Sequence, residues 1–116
     1  MTRYFIAIGF WTLCSQVAAS PELASKYDCF SCHSVEYRVI GPAYRDVALR
    51  YGEYSQAYIA LAARIRSGGS GKWGKFVMPA QPKVSEAESL ELAQWILSLS
   101  KSGIDAPRAN SSIPTQ

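Results

Sequence analysis

Cys29-Phe30-Ser31-Cys32-His33 is the stretch from which the rest of this chain is best read. Two thiols three positions apart on one turn of helix can reach two attachment points on one edge of a flat macrocycle. The next residue then lies beneath the plane, where its imidazole can bind a metal. Cys-x-x-Cys-His is the attachment sequence of c-type haem, and these are the physical reasons for its spacing. Other uses of Cys-x-x-Cys fit less well. A thioredoxin-like dithiol belongs to a βαβ pattern, and no alternating strand pattern is visible. A structural zinc site needs four protein ligands, and beyond residue 20 only Cys29, Cys32 and His33 are good candidates. A plain disulfide leaves His33 unexplained. The motif therefore reads as the covalent site of one haem c, with His33 as the first iron ligand.

The scarcity of such residues elsewhere narrows the second ligand. The 116 residues contain three Cys, two Met and one His. A single His excludes bis-histidine haem, a two-His zinc site and a His-x-x-x-His metalloprotease. Met78 is the only Met apart from Met1, and lies 45 residues after His33 in Val77-Met78-Pro79. A thioether is a soft ligand that suits haem iron and raises its reduction potential. A Met that merely fills a core gap would be expected on a helical stripe, whereas Met78 sits in a Gly/Pro-rich loop stiffened by Pro79. Met78 is thus the expected second iron ligand.

The first residues read as an export signal. Arg3 precedes a run from Tyr4 to Leu13 that is apolar apart from Thr12, and the stretch closes in Val17-Ala18-Ala19-Ser20. Basic, apolar and small-residue parts in that order describe a cleaved signal peptide, here residues 1–19, which places the mature protein in the periplasm. A membrane anchor needs about 20 apolar residues, more than this run provides. Lipid attachment at Cys14 lacks the small residue normally found directly before a lipidated Cys. The formal charge of +3 is too small to point to nucleic acid, which calls for a strongly basic stripe.

Beyond the leader the pattern is all-α. Ser20-Pro21-Glu22 is a helix-start signal, with Leu23, Tyr27 and Phe30 on one face of a helix running into the Cys segment. Gly41-Pro42 breaks the chain before a short helix from Ala43 to Tyr51, whose Tyr44, Val47 and Ala48 share a side. Ser55 is the expected cap of a third helix with the stripe Tyr58, Leu61, Ala62, Ile65, ended by Gly68-Gly69. Residues 67–84 hold four Gly and two Pro and read as a loop. Ser85 to Glu88 is a capping box, and Leu92, Trp95, Ile96 and Leu99 stripe the last helix. The domain is set at 20–101, and 102–116 reads as a polar, disordered tail. Four or five short helices of this size bury little apolar surface by themselves. A large apolar cofactor wrapped by the long loop would supply the missing core.

The chain resembles the small bacterial class I monohaem cytochromes c with a short Met-ligand loop. The resemblance runs from about Glu22 to Ser100. It rests on the Cys29–His33 motif, Ile-Gly-Pro-Ala-Tyr at 40–44, Ala-Arg-Ile-Arg-Ser-Gly at 63–68, Gly-Lys-Trp-Gly at 71–74, Val-Met-Pro at 77–79 and Leu-Ala-Gln-Trp-Ile-Leu at 92–97. It implies a class I cytochrome c fold of four to five short helices around one haem. It also implies that the Pro42 carbonyl accepts the free ring N–H of His33, and that Arg64 and Trp73 hydrogen-bond a haem propionate. Relatives carry Met-Pro-Pro-Asn, whose amide contacts the ligand sulfur. Here the run is Met78-Pro79-Ala80-Gln81-Pro82, with Gln81 at the place of that Asn, third after the Met.

The implied function is electron transfer between redox proteins. With His33 and Met78 both on the iron no coordination position is open, and no separate nucleophile or acid–base pair is evident, so the expectation is a carrier and not an enzyme. No acid occurs from Tyr54 to Ser85, while Lys72, Lys75 and Lys83 flank Met78. These lysines would steer an acidic partner to an exposed haem edge. The mature form is expected to be monomeric and not membrane-spanning. Two alternatives stay open at this level: a haem subunit dedicated to one oxidoreductase, and a gas-binding or peroxidatic protein with Met78 off the iron.

Overall fold

A computed structural model describes residues 21–102. The expected leader 1–19, the Ser20 cap and the tail beyond Ser102 lie outside the described residues. The described chain forms α1 (Pro21–Lys26), a 3-10 turn (Cys29–Ser31), α2 (Tyr44–Tyr51), α3 (Ala57–Ser67) and α4 (Glu86–Ser102). It contains no sheet among these residues, only an isolated antiparallel bridge between Gly69 and Met78.

Proline opens α1, where its fixed φ and missing N–H cost nothing. Glu22 and Lys26 sit at the ends that the helix dipole favours. The helix does not continue into the Cys segment as the Leu23, Tyr27, Phe30 spacing suggested. Asp28 takes a left-handed conformation at φ 56°, ψ 26°, and Cys29–Ser31 then winds as a 3-10 turn. Aspartate tolerates this region better than most residues. Phe30 consequently ends up exposed, while Leu23 and Tyr27 pack against the core. Amides from beyond the motif fold back onto it: Ile40 and Gly41 both donate to the Cys32 carbonyl, at 3.2 and 2.8 Å.

Gly41-Pro42 ends that loop, and α2 starts one residue later than expected, with Ala43 extended as its N-cap. Tyr44, Val47 and Ala48 are buried, as their spacing requires. The cap of α3 differs from expectation. Gln56, not Ser55, is the N-cap and makes no side-chain bond, because a backbone turn already pairs the Ala57 amide with the Tyr54 carbonyl at 3.0 Å. Gly68 ends α3 at φ 66°, ψ −159°, a conformation open to glycine and strained for other residues.

The capping box at the start of α4 forms in both directions. The Glu88 amide donates to Ser85 Oγ at 3.2 Å, and the Ser85 amide donates to Glu88 Oε2 at 3.1 Å. Glu88 also accepts Tyr27 Oη at 2.7 Å and Lys26 Nζ at 2.8 Å, so one carboxylate joins the end of α1 to the start of α4. Helix α4 packs against both α2 and α3. Leu92, Ala93 and Ile96 are its buried residues in the core, with Trp95 and Leu99 half-buried beside them. Burying a leucine or isoleucine contributes about 1.5–3 kcal/mol. The core is correspondingly small, and the helices leave a wide cleft between α2, α3 and the loop that follows α3.

Candidate haem site

The cleft has a volume of about 1190 Å³, and Cys29, Cys32, His33 and Met78 all line it. Small-molecule sites usually span about 300–1,000 Å³, so this one suits a large ligand in a chain of this size. Cys29 and Cys32 are both half-buried and are not joined to each other. Before haem attachment, burial is the main cause that holds the Cys29 thiol above its ordinary pKa.

His33 is held on several sides. Its Nδ1 lies 2.8 Å from the Pro42 carbonyl, a geometry in which Nδ1–H donates and Nε2 keeps its lone pair for a metal. The ring stacks on Tyr44 at 5.0 Å and 17°. On another side stands Gly41, where a Cβ would sit 2.7 Å from His33 Nδ1. Tyr44 is buried and its hydroxyl is pushed well above the usual tyrosine pKa, chiefly by desolvation. Trp95 meets the Tyr44 ring edge-on at 5.5 Å. Backbone carbonyl, glycine and aromatic ring therefore fix the imidazole together.

Met78 enters from the loop after α3. Its amide donates to the Gly69 carbonyl and its carbonyl accepts the Gly69 amide, both at 2.9 Å. The residue expected to carry the sulfur ligand is thus anchored through its backbone to the end of α3. Gln81 lines the same cleft as Met78, and its side-chain amide donates to the Pro79 carbonyl at 3.4 Å.

Arg64 and Trp73 both line the cleft. Arg64 Nη1 donates to the Gly68 carbonyl at 3.1 Å and packs against Gly69, where any side chain would collide with it. Trp73 meets Tyr51 edge-on at 6.3 Å. Two further arginines, not singled out in the sequence, also line the cleft and contact this loop. Arg38 Nη2 donates to the Trp73 carbonyl at 2.7 Å, and Arg50 Nη1 donates to the Lys72 carbonyl at 2.8 Å. Their partners lie 35 and 22 residues away in sequence, and no local pattern announces them. Lys72, Lys75 and Lys83 are exposed. Phe76 and Val77, just before Met78, are each 70% exposed.

The donor set matches haem c. Two thiols, one imidazole nitrogen and one thioether in a single cleft are the groups needed for two covalent links and two soft-to-borderline iron ligands. The family model described as cytochrome c matches residues 17–100. The chain belongs to the cytochrome c family. Cytochrome c-552 of Nitrosomonas europaea is 44% identical over 81 residues, which cover 70% of this chain and 79% of that protein. Its crystal structure matches with a TM-score of 0.68 over 69% of this chain and 99% of that chain. Cytochrome c-552 of Hydrogenobacter thermophilus is 41% identical over 97 residues, covering 84% and 98% of the two proteins. The class 1 cytochrome MtoD of Sideroxydans lithotrophicus is 32% identical with a TM-score of 0.60, over 72% and 96%. This cytochrome is thus an all-α class I member. It carries one covalent haem c on Cys29 and Cys32 and transfers electrons between redox partners. No helix among the described residues is long and apolar enough to cross a membrane.

Proposed function

We propose that His33 and Met78 are the two protein ligands of the haem iron and that the chain is a one-electron shuttle without an open catalytic position. Haem c supplies a ferrous–ferric couple when bound. The observation that carries the reading is the convergence of His33 and Met78 on the cleft that also holds both thiols. Pro42 orients the imidazole and raises its basicity through the 2.8 Å contact. Gly69 fixes the backbone of the thioether donor. Two protein ligands at fixed positions keep the geometry nearly the same in both redox states, which favours fast electron exchange and excludes small molecules. Arg64 and Trp73 meet a haem propionate, and the guanidinium offsets a carboxylate charge that would be costly to bury alone.

The partner surface in this reading is the Met78 side, where exposed Phe76 and Val77 lie among Lys72, Lys75 and Lys83. An acidic protein docks there briefly and salt-sensitively, and the carrier acts as a monomer. Residues 1–19 direct export and are removed, leaving a periplasmic domain at 20–101 and a polar tail. The mass of the exported protein tests this part: it should equal the chain from Ser20 plus one haem, without lipid.

Spectroscopy tests the ligands. The ferric protein should show the sulfur-to-iron charge-transfer band, Met78→Ala should lose it, and after reduction to the ferrous state only the variant should bind carbon monoxide at neutral pH. Wild-type protein that lacks the band, or takes up carbon monoxide readily, overturns the closed-site reading.

A further inference from the structure

We propose that Arg38 and Arg50 form a two-point strap that holds the turn at residues 71–74, and with it Trp73, against the haem cleft, so that both are positioning residues for the haem-facing indole. The inference rests on the reading above that Trp73 meets a haem propionate.

The turn itself has little to hold it. Gly71 and Gly74 take φ values of 98° and 119°, and the one main-chain bond across the turn is a long one, from the Gly71 amide to the Gly74 carbonyl at 3.3 Å. Flexible glycines at both ends leave Trp73 free to swing unless something outside the turn fixes it. Arg38, in the loop before α2, and Arg50, in the last turn of α2, provide this from two different places. They grip the carbonyls of consecutive residues, Trp73 at 2.7 Å and Lys72 at 2.8 Å, both within the short range of charge-assisted bonds. The Arg50 guanidinium also lies 4.7 Å from the centroid of the Trp73 ring, inside the roughly 6 Å reach of a cation–π contact. Tyr51, next to Arg50, closes on the same ring edge-on. Arg38 packs so near the turn that a Cβ on Gly74 would lie 3.3 Å from its Nη2. The contacts made by Arg38 and Arg50 thus fix both the backbone and the ring plane of Trp73. Arg64 stays on its own carbonyl at Gly68, so the three arginines divide the task. One is available to the cofactor, and two set the indole.

The test uses the haem-loaded protein with Arg38→Gln, Arg50→Gln and Trp73→Phe. Hydrogen exchange is followed at the Gly71 amide and the Trp73 indole N–H, and the reduction potential is measured alongside. Either arginine variant should speed exchange at both sites by about tenfold, the factor lost with one charge-assisted bond, and should move the potential in the same direction as Trp73→Phe. A potential that moves with unchanged exchange overturns the strap, because that is the mark of a lost charge alone. Unchanged exchange and unchanged potential overturn it as well. If Trp73→Phe leaves the potential untouched while the arginine variants still speed exchange at Gly71, the strap stands and the propionate reading fails.

Discussion

Gly41→Ala is the sharpest probe of how His33 is held. Gly41 is not in the left-handed region, so alanine carries no backbone penalty there and the effect comes from one methyl group. That methyl would lie 2.7 Å from His33 Nδ1 and 2.9 Å from Nε2, where ordinary contact begins at 3.4 Å. Cε1 would be closer still, so the ring must retreat by at least about 0.7 Å. Retreat along the hydrogen-bond axis would stretch the 2.8 Å contact to Pro42 to about 3.5 Å, past the useful range. Retreat the other way presses the ring onto Tyr44, already stacked at 5.0 Å. Overpacking of this kind costs about 1–3 kcal/mol. At 2 kcal/mol and a urea m value of about 2 kcal/mol/M, the unfolding midpoint of the haem-loaded protein falls by about 1 M. The haem absorption bands should change too, because the ring that moves is the proposed iron ligand. Gly52→Ala is the control: its Cβ would meet the Ala48 carbonyl and Ser100 Oγ and no side chain of the cleft, so stability should drop with the absorption bands unchanged. A Gly41→Ala protein with wild-type midpoint and spectrum would refute the packed-imidazole argument.

Two further outcomes follow from the same structure. The Glu88 carboxyl is drawn down to about 2 by its bond to Lys26, then by Tyr27 and Ser85, from an ordinary value of 4.5. A depressed folded pKa means stability that is full above about pH 4.5 and lost as pH falls through 2, so Glu88→Gln should flatten the acid limb of a stability–pH profile measured by urea unfolding. Leu92 is 2% exposed in the core and also lines the cleft, so Leu92→Ala should cost about 2–5 kcal/mol by denaturant unfolding.

Local chemistry made much of this molecule legible in its sequence. The capping box at Ser85, the glycine stop at Gly68 and the stripes of α2 and α4 are each decided within a few residues, and each formed where its pattern lies. The Cys29–His33 motif and Met78 stood out because their residue types are scarce. What went unread depends on less local terms. The end of α1 turns on one left-handed aspartate, and α3 is capped by a backbone turn where a serine was the obvious candidate. Arg38 and Arg50 look like ordinary exposed charges until the fold brings residues 72 and 73 beneath them.

The bridge between Gly69 and Met78 has a kinetic consequence. Its two main-chain bonds close the intervening loop independently of what the thioether is doing. The chain entropy of bringing that segment back to the cleft is already spent before any sulfur–metal bond forms. Under the proposed ligation, a thioether that lets go therefore remains at high effective concentration, and its return is a matter of side-chain rotation with no loop search. Dissociation at Met78 would be brief, and a competing ligand would have to capture the iron within that interval.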